Sequence, residues 1–212
     1  MGYTEPDLSK SALVTIDVQR DFSLRGAPAE IAGTMENVPN MVRLLSMFRR
    51  VFRPIVHVVR LYRADGSNVD LCRRALIRSG TSVVRPGSEG AELVGELLPD
   101  PTAKLDCGLL LDGGVQFFSQ NESVIYKPRW GAFYQTPLQK HLEALKVNTI
   151  VVCGCNFPNC PRTTIYEASE RDFKVVLVRD AVSGLYRKAE EELLNIGVHL
   201  SSTADLAGSF GR

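Results

Sequence analysis

Five apolar runs of strand length, set between stretches of helical spacing, limit what this chain can fold into. They are "SALVTID" (11–17), "PIVHVV" (54–59), "ESVIYK" (122–127), "NTIVVCG" (148–154) and "KVVLVRD" (174–180). Each is short, continuous and rich in β-branched residues, the pattern of strands buried on both faces. Between the first two, Val38, Met41, Val42, Leu45 and Phe48 recur at spacings of three and four, which is helical. "GAELVGELL" (90–98) reads as a short helix stopped by "PDPT". "TPLQKHLEALK" reads as a helix with Thr136 at the N-cap and Pro137 at N1. "PRTTIYEASERD" and "RKAEEELLNIG" supply two more helices, the second closed by Gly197, and "VHLSS" reads as a last strand. Strands alternating with helices make βαβ units, hence a parallel sheet covered on both faces. Residues 62–89 and 100–121 are irregular and are expected to form long loops near a site. With no repeat, linker or low-complexity stretch, residues 1–212 read as one domain.

Composition narrows the function. The 212 residues are 44% hydrophobic and 23% charged, enough to build a core. Lys plus Arg (25) nearly balances Asp plus Glu (24), so no electrostatic argument favours nucleic acid as a partner. No stretch approaches the roughly 18 apolar residues of a membrane span. "MGYTEPDLSKS" lacks the apolar core of a signal peptide, and Pro6 stands where a myristoylation signal needs Ser or Thr. The cytosol is the expected compartment. There, five cysteines stay reduced, and their odd number argues against a disulfide framework.

Three of those cysteines, Cys153, Cys155 and Cys160, crowd into "VVCGCNFPNC". A structural zinc site, a redox pair and a nucleophile are the competing explanations. The spacing C-x-C-x4-C is not that of paired zinc ligands, and His57, His141 and His199 all lie elsewhere in sequence. No C-x-x-C pair exists. Cys153, Cys155, Cys72 and Cys107 read as small buried hydrophobes. Cys160 follows a parallel strand and precedes Pro161, a residue favoured at N1, which makes Cys160 the expected N-cap. There the helix dipole lowers a thiol's pKa. Ligands of open parallel sheets bind beyond the carboxyl ends of the strands. Asp17 ends the first strand, Lys127 ends the third and Cys160 follows the fourth, so three reactive side chains are expected on one sheet edge. Taken singly, Asp17 reads as a solvated strand end and Lys127 as a surface lysine.

These residues resemble the isochorismatase-like cysteine hydrolases. "LVTIDVQRDF" is similar to that family's opening D-x-Q-x-D-F strand, "YKPRWGAF" to its lysine segment, and "VVCGCNFPNC" with "TTIYEASERDFKVVLVRDA" to its cysteine loop. "RPGSEGAELVGELLP" is similar to the segment before the lysine strand, and the likeness runs from about residue 11 to 206. The resemblance implies a three-layer α/β/α fold with a six-stranded, mostly parallel sheet, and an Asp17–Lys127–Cys160 triad. It implies amidase chemistry on small amides or ureides, and a homodimer or homotetramer. It also implies an oxyanion hole of backbone donors, Cys160 N–H and Asn156 N–H, the latter following a cis Cys155–Asn156 bond. Phe22 and Trp130 flank the triad motifs and read either as apolar pocket walls or as ordinary core aromatics.

Three departures matter. "VVRLYRADGSNVD" lacks the aspartate–histidine cluster of the metal-dependent nicotinamidases, so no metal or other cofactor is expected. "FPNCP" replaces the common T-x-x-C-V, and residues 105–123 are longer than usual and are expected to line the pocket or an interface. The reaction expected is hydrolysis of a C–N bond through a thioester on Cys160. Asp17 takes the thiol proton and passes it to the leaving nitrogen, and Lys127 steadies the charge. The alternatives are a vinyl-ether hydrolase and a non-catalytic binding or redox-sensing protein with an oxidisable Cys160.

Overall fold

The computed structural model describes residues 2–210. A single sheet of seven strands runs through it: β1 (Ser11–Ile16), β2 (Ile55–Val59), β3 (Val115–Ser119), β4 (Glu122–Tyr126), β5 (Thr149–Gly154), β6 (Lys174–Val182) and β7 (His199–Ser201). Their order is β3-β4-β2-β1-β5-β6-β7, all parallel except the β3–β4 hairpin. Eight helices accompany them: α1 (Arg20–Ser23), α2 (Thr34–Arg50), α3 (Leu71–Arg78), α4 (Cys107–Leu111), α5 (Leu138–Ala144), α6 (Cys160–Ser169), α7 (Arg187–Asn195) and α8 (Thr203–Phe210).

The layers follow from side chains alternating across the strands. Ala12, Val14 and Ile16 of β1 point to one face, where Leu138 and Leu142 of α5, Ile165 and Ala168 of α6, and Ala189 and Leu193 of α7 cover them. Leu13 points the other way, into Val38, Met41, Leu45 and Phe48 of α2 and Leu206 of α8. A third cluster, with Phe22, Val59, Tyr62, Ile77 and Leu93, packs around the C-terminal end of β2. The three-layer α/β/α reading therefore holds, with helices on both faces.

Several local expectations are corrected. The sheet has seven strands rather than six because "VQFFS", placed among loops in the sequence reading, pairs antiparallel with β4 as an edge strand. Phe117 within it is exposed, so the strand carries no continuous apolar signal. The irregular stretch 62–89 contains α3. Residues 90–98 form two single 3-10 turns, Glu89–Ala91 and Gly95–Leu97, instead of a helix. Pro137, rather than Thr136, caps α5, although the Thr136 hydroxyl still accepts the Leu138 N–H at 3.2 Å. Among the cysteines, Cys153 and Cys155 are buried as expected, whereas Cys72 is exposed on α3 and Cys107 is half-buried.

One polar network lies inside the apolar layers. Arg49, in the last turn of α2, reaches the Glu122 carboxylate through Nε at 2.9 Å and Nη2 at 2.6 Å. The same carboxylate lies 2.8 Å from His57 Nε2, and His57 Nδ1 lies 2.8 Å from the Thr15 hydroxyl. Burial alone pushes the Glu122 carboxyl up, but the Arg49 and His57 hydrogen bonds outweigh it and hold it at about 2. An unfolded glutamate titrates near ~4.3. A folded pKa below the unfolded one means stability that is fully present above that value and lost as pH falls toward 2. Glu122 is therefore expected to contribute about 3 kcal/mol at neutral pH. Glu122→Gln should flatten the acid limb of the stability curve in that window, read from urea melts at stepped pH. An unchanged slope would show that the network does not set acid stability.

Candidate active site

The site forms where β1, β4 and β5 end. Asp17, the residue after β1, takes φ +54°, a left-handed conformation that Asp tolerates better than most side chains. Its N–H donates to Val58 O at 2.9 Å, and its carbonyl accepts the Cys155 thiol at 3.1 Å. Beside it, Gly154 has φ +119°, and a methyl there would collide with the Ile16 backbone. Only glycine allows the ends of β1 and β5 to approach this closely. Lys127 follows β4 and is completely buried, its Nζ 2.8 Å from Asp17 Oδ2 and 3.2 Å from Arg129 O. Asp17 Oδ1 is buried and accepts no hydrogen bond among the described residues.

Cys160 opens α6, with Asn159 as the N-cap and Pro161 following, so the cap lies one position earlier than the sequence suggested. Phe157 anchors its loop: the side chain is fully buried, its N–H donates to Ser183 O at 2.8 Å, and its ring packs edge-on against Tyr186 at 6.0 Å. Burial is the largest influence on the Cys160 thiol and pushes its pKa up. The Asp17 carboxylate adds to the rise, Lys127 and Arg60 oppose it, and the thiol stays above its ordinary value. The expected lowering is thus overturned: burial and the Asp17 carboxylate outweigh the opposing charges of Lys127 and Arg60. Burial alone pushes Cys153 up to about 12.

The cavity over the thiol is lined by Asp17, Phe22, Arg60, Tyr62, Arg73, Trp130 and Asn156, among others. Asp17, Lys127 and Cys160 thus come together, and Phe22 and Trp130 both face the cavity while also packing into the core. Neither Asn156 N–H nor Cys160 N–H donates to another group among the described residues. The Cys155–Asn156 bond is trans, as is every described peptide bond, which corrects the expected cis linkage. Residues 105–123 contribute nothing to this cavity. No cluster of three or more His, Cys, Asp or Glu side chains among the described residues is placed to hold a metal ion.

Arg60 is the residue the sequence reading missed. It follows β2 and is almost wholly buried. Nη1 lies 3.0 Å from Asp70 Oδ2 and 3.1 Å from Pro128 O, and Nη2 lies 3.9 Å from Cys160 Sγ. Its guanidinium also sits 5.1 Å from the centre of the Trp130 ring. Gln19 fixes its backbone, donating through Nε2 to Arg60 O at 2.7 Å and accepting Arg60 N–H at 2.7 Å. Burial opposes the charge of Arg60, but the surrounding groups, Asp17 and Asp70 among them, raise its pKa further. The rule that picked out Asp17 and Lys127, a polar residue directly after a buried parallel strand, also picks out Arg60.

Fold and site together define a parallel α/β protein with a buried thiol, carboxylate and ammonium gathered at its strand ends. The chain belongs to the isochorismatase family, whose domain model matches residues 11–105 and 111–205. It is 30% identical over 194 residues to a protein of Arabidopsis thaliana called a probable inactive nicotinamidase, covering 89% of this chain and 90% of that one. It is 26% identical over 186 residues to the maleamate amidohydrolase of Pseudomonas putida, covering 86% of this chain and 76% of that one. The crystal structure of an isochorismatase family protein from Desulfovibrio vulgaris superposes with a TM-score of 0.80 at 32% identity, covering 96% and 99% of the two chains.

Proposed function

We propose that this chain hydrolyses a C–N bond in a small non-peptide amide or ureide, through a thioester on Cys160. The observation that carries this reading is the buried Asp17–Lys127 pair, 2.8 Å apart, whose Asp17 lines the same cavity as the buried Cys160 thiol. A lysine with no exposure is costly unless its charge is used or paired, and here one oxygen of its partner carboxylate is left for the thiol proton.

Because the thiol's pKa is raised, Cys160 rests as the protonated form, and the chemistry begins with proton transfer. Asp17 accepts that proton as the sulfur attacks the substrate carbonyl carbon. Lys127 holds the carboxylate in place, and Lys127 and Arg60 together offset the negative charge moving through the cavity. The carbonyl oxygen becomes an oxyanion, for which the free N–H groups of Asn156 and Cys160 are the proposed donors. The C–N bond breaks as Asp17 returns its proton to the departing nitrogen. Water then attacks the thioester, giving its proton to Asp17, and as the C–S bond breaks Asp17 passes that proton to the sulfur, restoring the thiol and the carboxylate.

Ammonia release from a panel of maleamate, nicotinamide, ureidoacrylate, biuret and N-carbamoylated amines tests the reading, with Cys160→Ala as control. Turnover of one compound that vanishes in Cys160→Ala is the expected result. Silence across the panel would favour a non-catalytic role, a reading that the name of the Arabidopsis thaliana relative keeps in view.

A further inference from the structure

The cavity over Cys160 has a free volume of only about 10 Å³, on the order of one water molecule. Next to it lies an outer pocket of about 270 Å³, walled mainly by Pro28, Ala29, Leu76, Ile77 and Val83, with one carboxylate, the exposed Glu30, whose Oε2 accepts the Gly26 N–H at 2.7 Å. Ile31, Tyr62 and Arg73 line both spaces and so form the partition between them. Of these, Tyr62 is buried and its hydroxyl donates to Asp70 Oδ2 at 3.2 Å, while Ile31 is tied through its N–H to Phe22 O at 2.8 Å. Arg73, on α3, is half-buried, and its guanidinium has no hydrogen-bond or ion-pair partner among the described residues. It rests on two ring faces, 5.4 Å from the centre of Phe22 and 5.7 Å from that of Trp130. Such contacts leave the N–H edge of the guanidinium free for a bidentate acceptor.

The charges point the same way. Asp17 pairs with Lys127 and Arg60 with Asp70, at 2.8 and 3.0 Å. Those four cancel, and Arg73 is left as the uncompensated charge at the cavity. We propose that Arg73 is the movable partition of the site and its anion anchor, so that the substrate is a small amide or ureide bearing a carboxylate. The carboxylate takes the free edge of Arg73, the side chain leaves its ring shelf, and the inner and outer spaces join. Together they approach roughly 300 Å³, the lower end of the range for small-molecule sites. The apolar outer walls then hold the substrate's carbon frame. This inference rests on the proposal that Cys160 is a nucleophile open to small electrophiles.

Iodoacetate and iodoacetamide are a matched pair of thiol reagents, one carrying a carboxylate and one neutral. The experiment uses the full chain with exposed Cys72→Ser, at pH 8, and maps labelling at Cys160 by mass spectrometry. The ratio of iodoacetate to iodoacetamide rates, divided by the same ratio for glutathione, is the quantity read. It is expected to be about tenfold higher with Arg73 than in Arg73→Gln, intermediate in Arg73→Lys, and to fall as salt is added. Equal normalised ratios in the Arg73 protein and both variants would overturn the anchor and leave the nucleophile standing. If neither reagent labels Cys160 in any of the proteins, the anchor and the hydrolase reading are overturned together.

Discussion

Asp17→Asn is expected to lower kcat by roughly a thousandfold while leaving the fold intact, since the two side chains have nearly the same shape. The expectation follows from the state of the thiol. Burial and the Asp17 carboxylate both keep the Cys160 proton in place, so attack needs an acceptor at that position. An amide oxygen is a much weaker base than a carboxylate. Turnover and thiol reactivity should then separate in opposite directions. With the carboxylate gone, Lys127 and Arg60 still favour the thiolate, so Cys160 should alkylate faster with iodoacetamide near pH 8 even as hydrolysis stops. Steady-state ammonia release and labelling rates on one preparation check both halves. A kcat within tenfold of the parent would remove Asp17 from the mechanism. Slower labelling would show that Asp17 favours the thiolate instead.

Lys127→Met is expected to destabilise the fold by about 3–5 kcal/mol, because it strands a buried carboxylate. Lys127 is completely buried and Asp17 nearly so, leaving water unable to replace the lost partner. Arg60 shares the cavity and offsets part of the loss, placing the result toward the lower end of that range. Asp17→Asn/Lys127→Met carries neither charge and should recover at least half of what Lys127→Met loses. Urea melts of the four proteins make the cycle. A double variant as unstable as the sum of its singles would mean that the 2.8 Å pair carries no coupling. Its role would then be confined to the chemistry.

Much of this was legible beforehand because the signals were local. Continuous β-branched runs gave five central strands, and helical spacing gave α2, α5, α6 and α7, each within a few residues of its observed ends. Legibility failed where long-range contacts outweighed local preference. β3 exists because β4 offers it an edge, not because "VQFFS" insists on being a strand. α3 is amphipathic, but it is embedded between Gly- and Arg-rich turns that masked its period. Residues 90–98 look helical in isolation. The backbone bridge of Leu93 to Gln19, and the Gln19 side chain donating to Ala91 O at 2.6 Å, hold that segment as two tight turns.

By itself the sequence determined the layer order and the edge of the sheet at which chemistry gathers. Both follow from the direction of parallel strands and from which residue stands at each strand end. Only the tertiary structure decided the electrostatics. Whether Lys127 is a solvated surface charge or a fully buried partner of Asp17 depends on what β2, α6 and the loops place around it. Whether the Cys160 thiol is lowered by a helix or raised by its surroundings depends on how much water those neighbours exclude. Arg60 shows the same division. Its place after β2 is written in the sequence, but its reach to Cys160 and Asp70 exists only once Gln19 has clamped the end of that strand. Desolvation and charge pairing are sums over neighbours distant in sequence, and no short stretch of chain contains those sums.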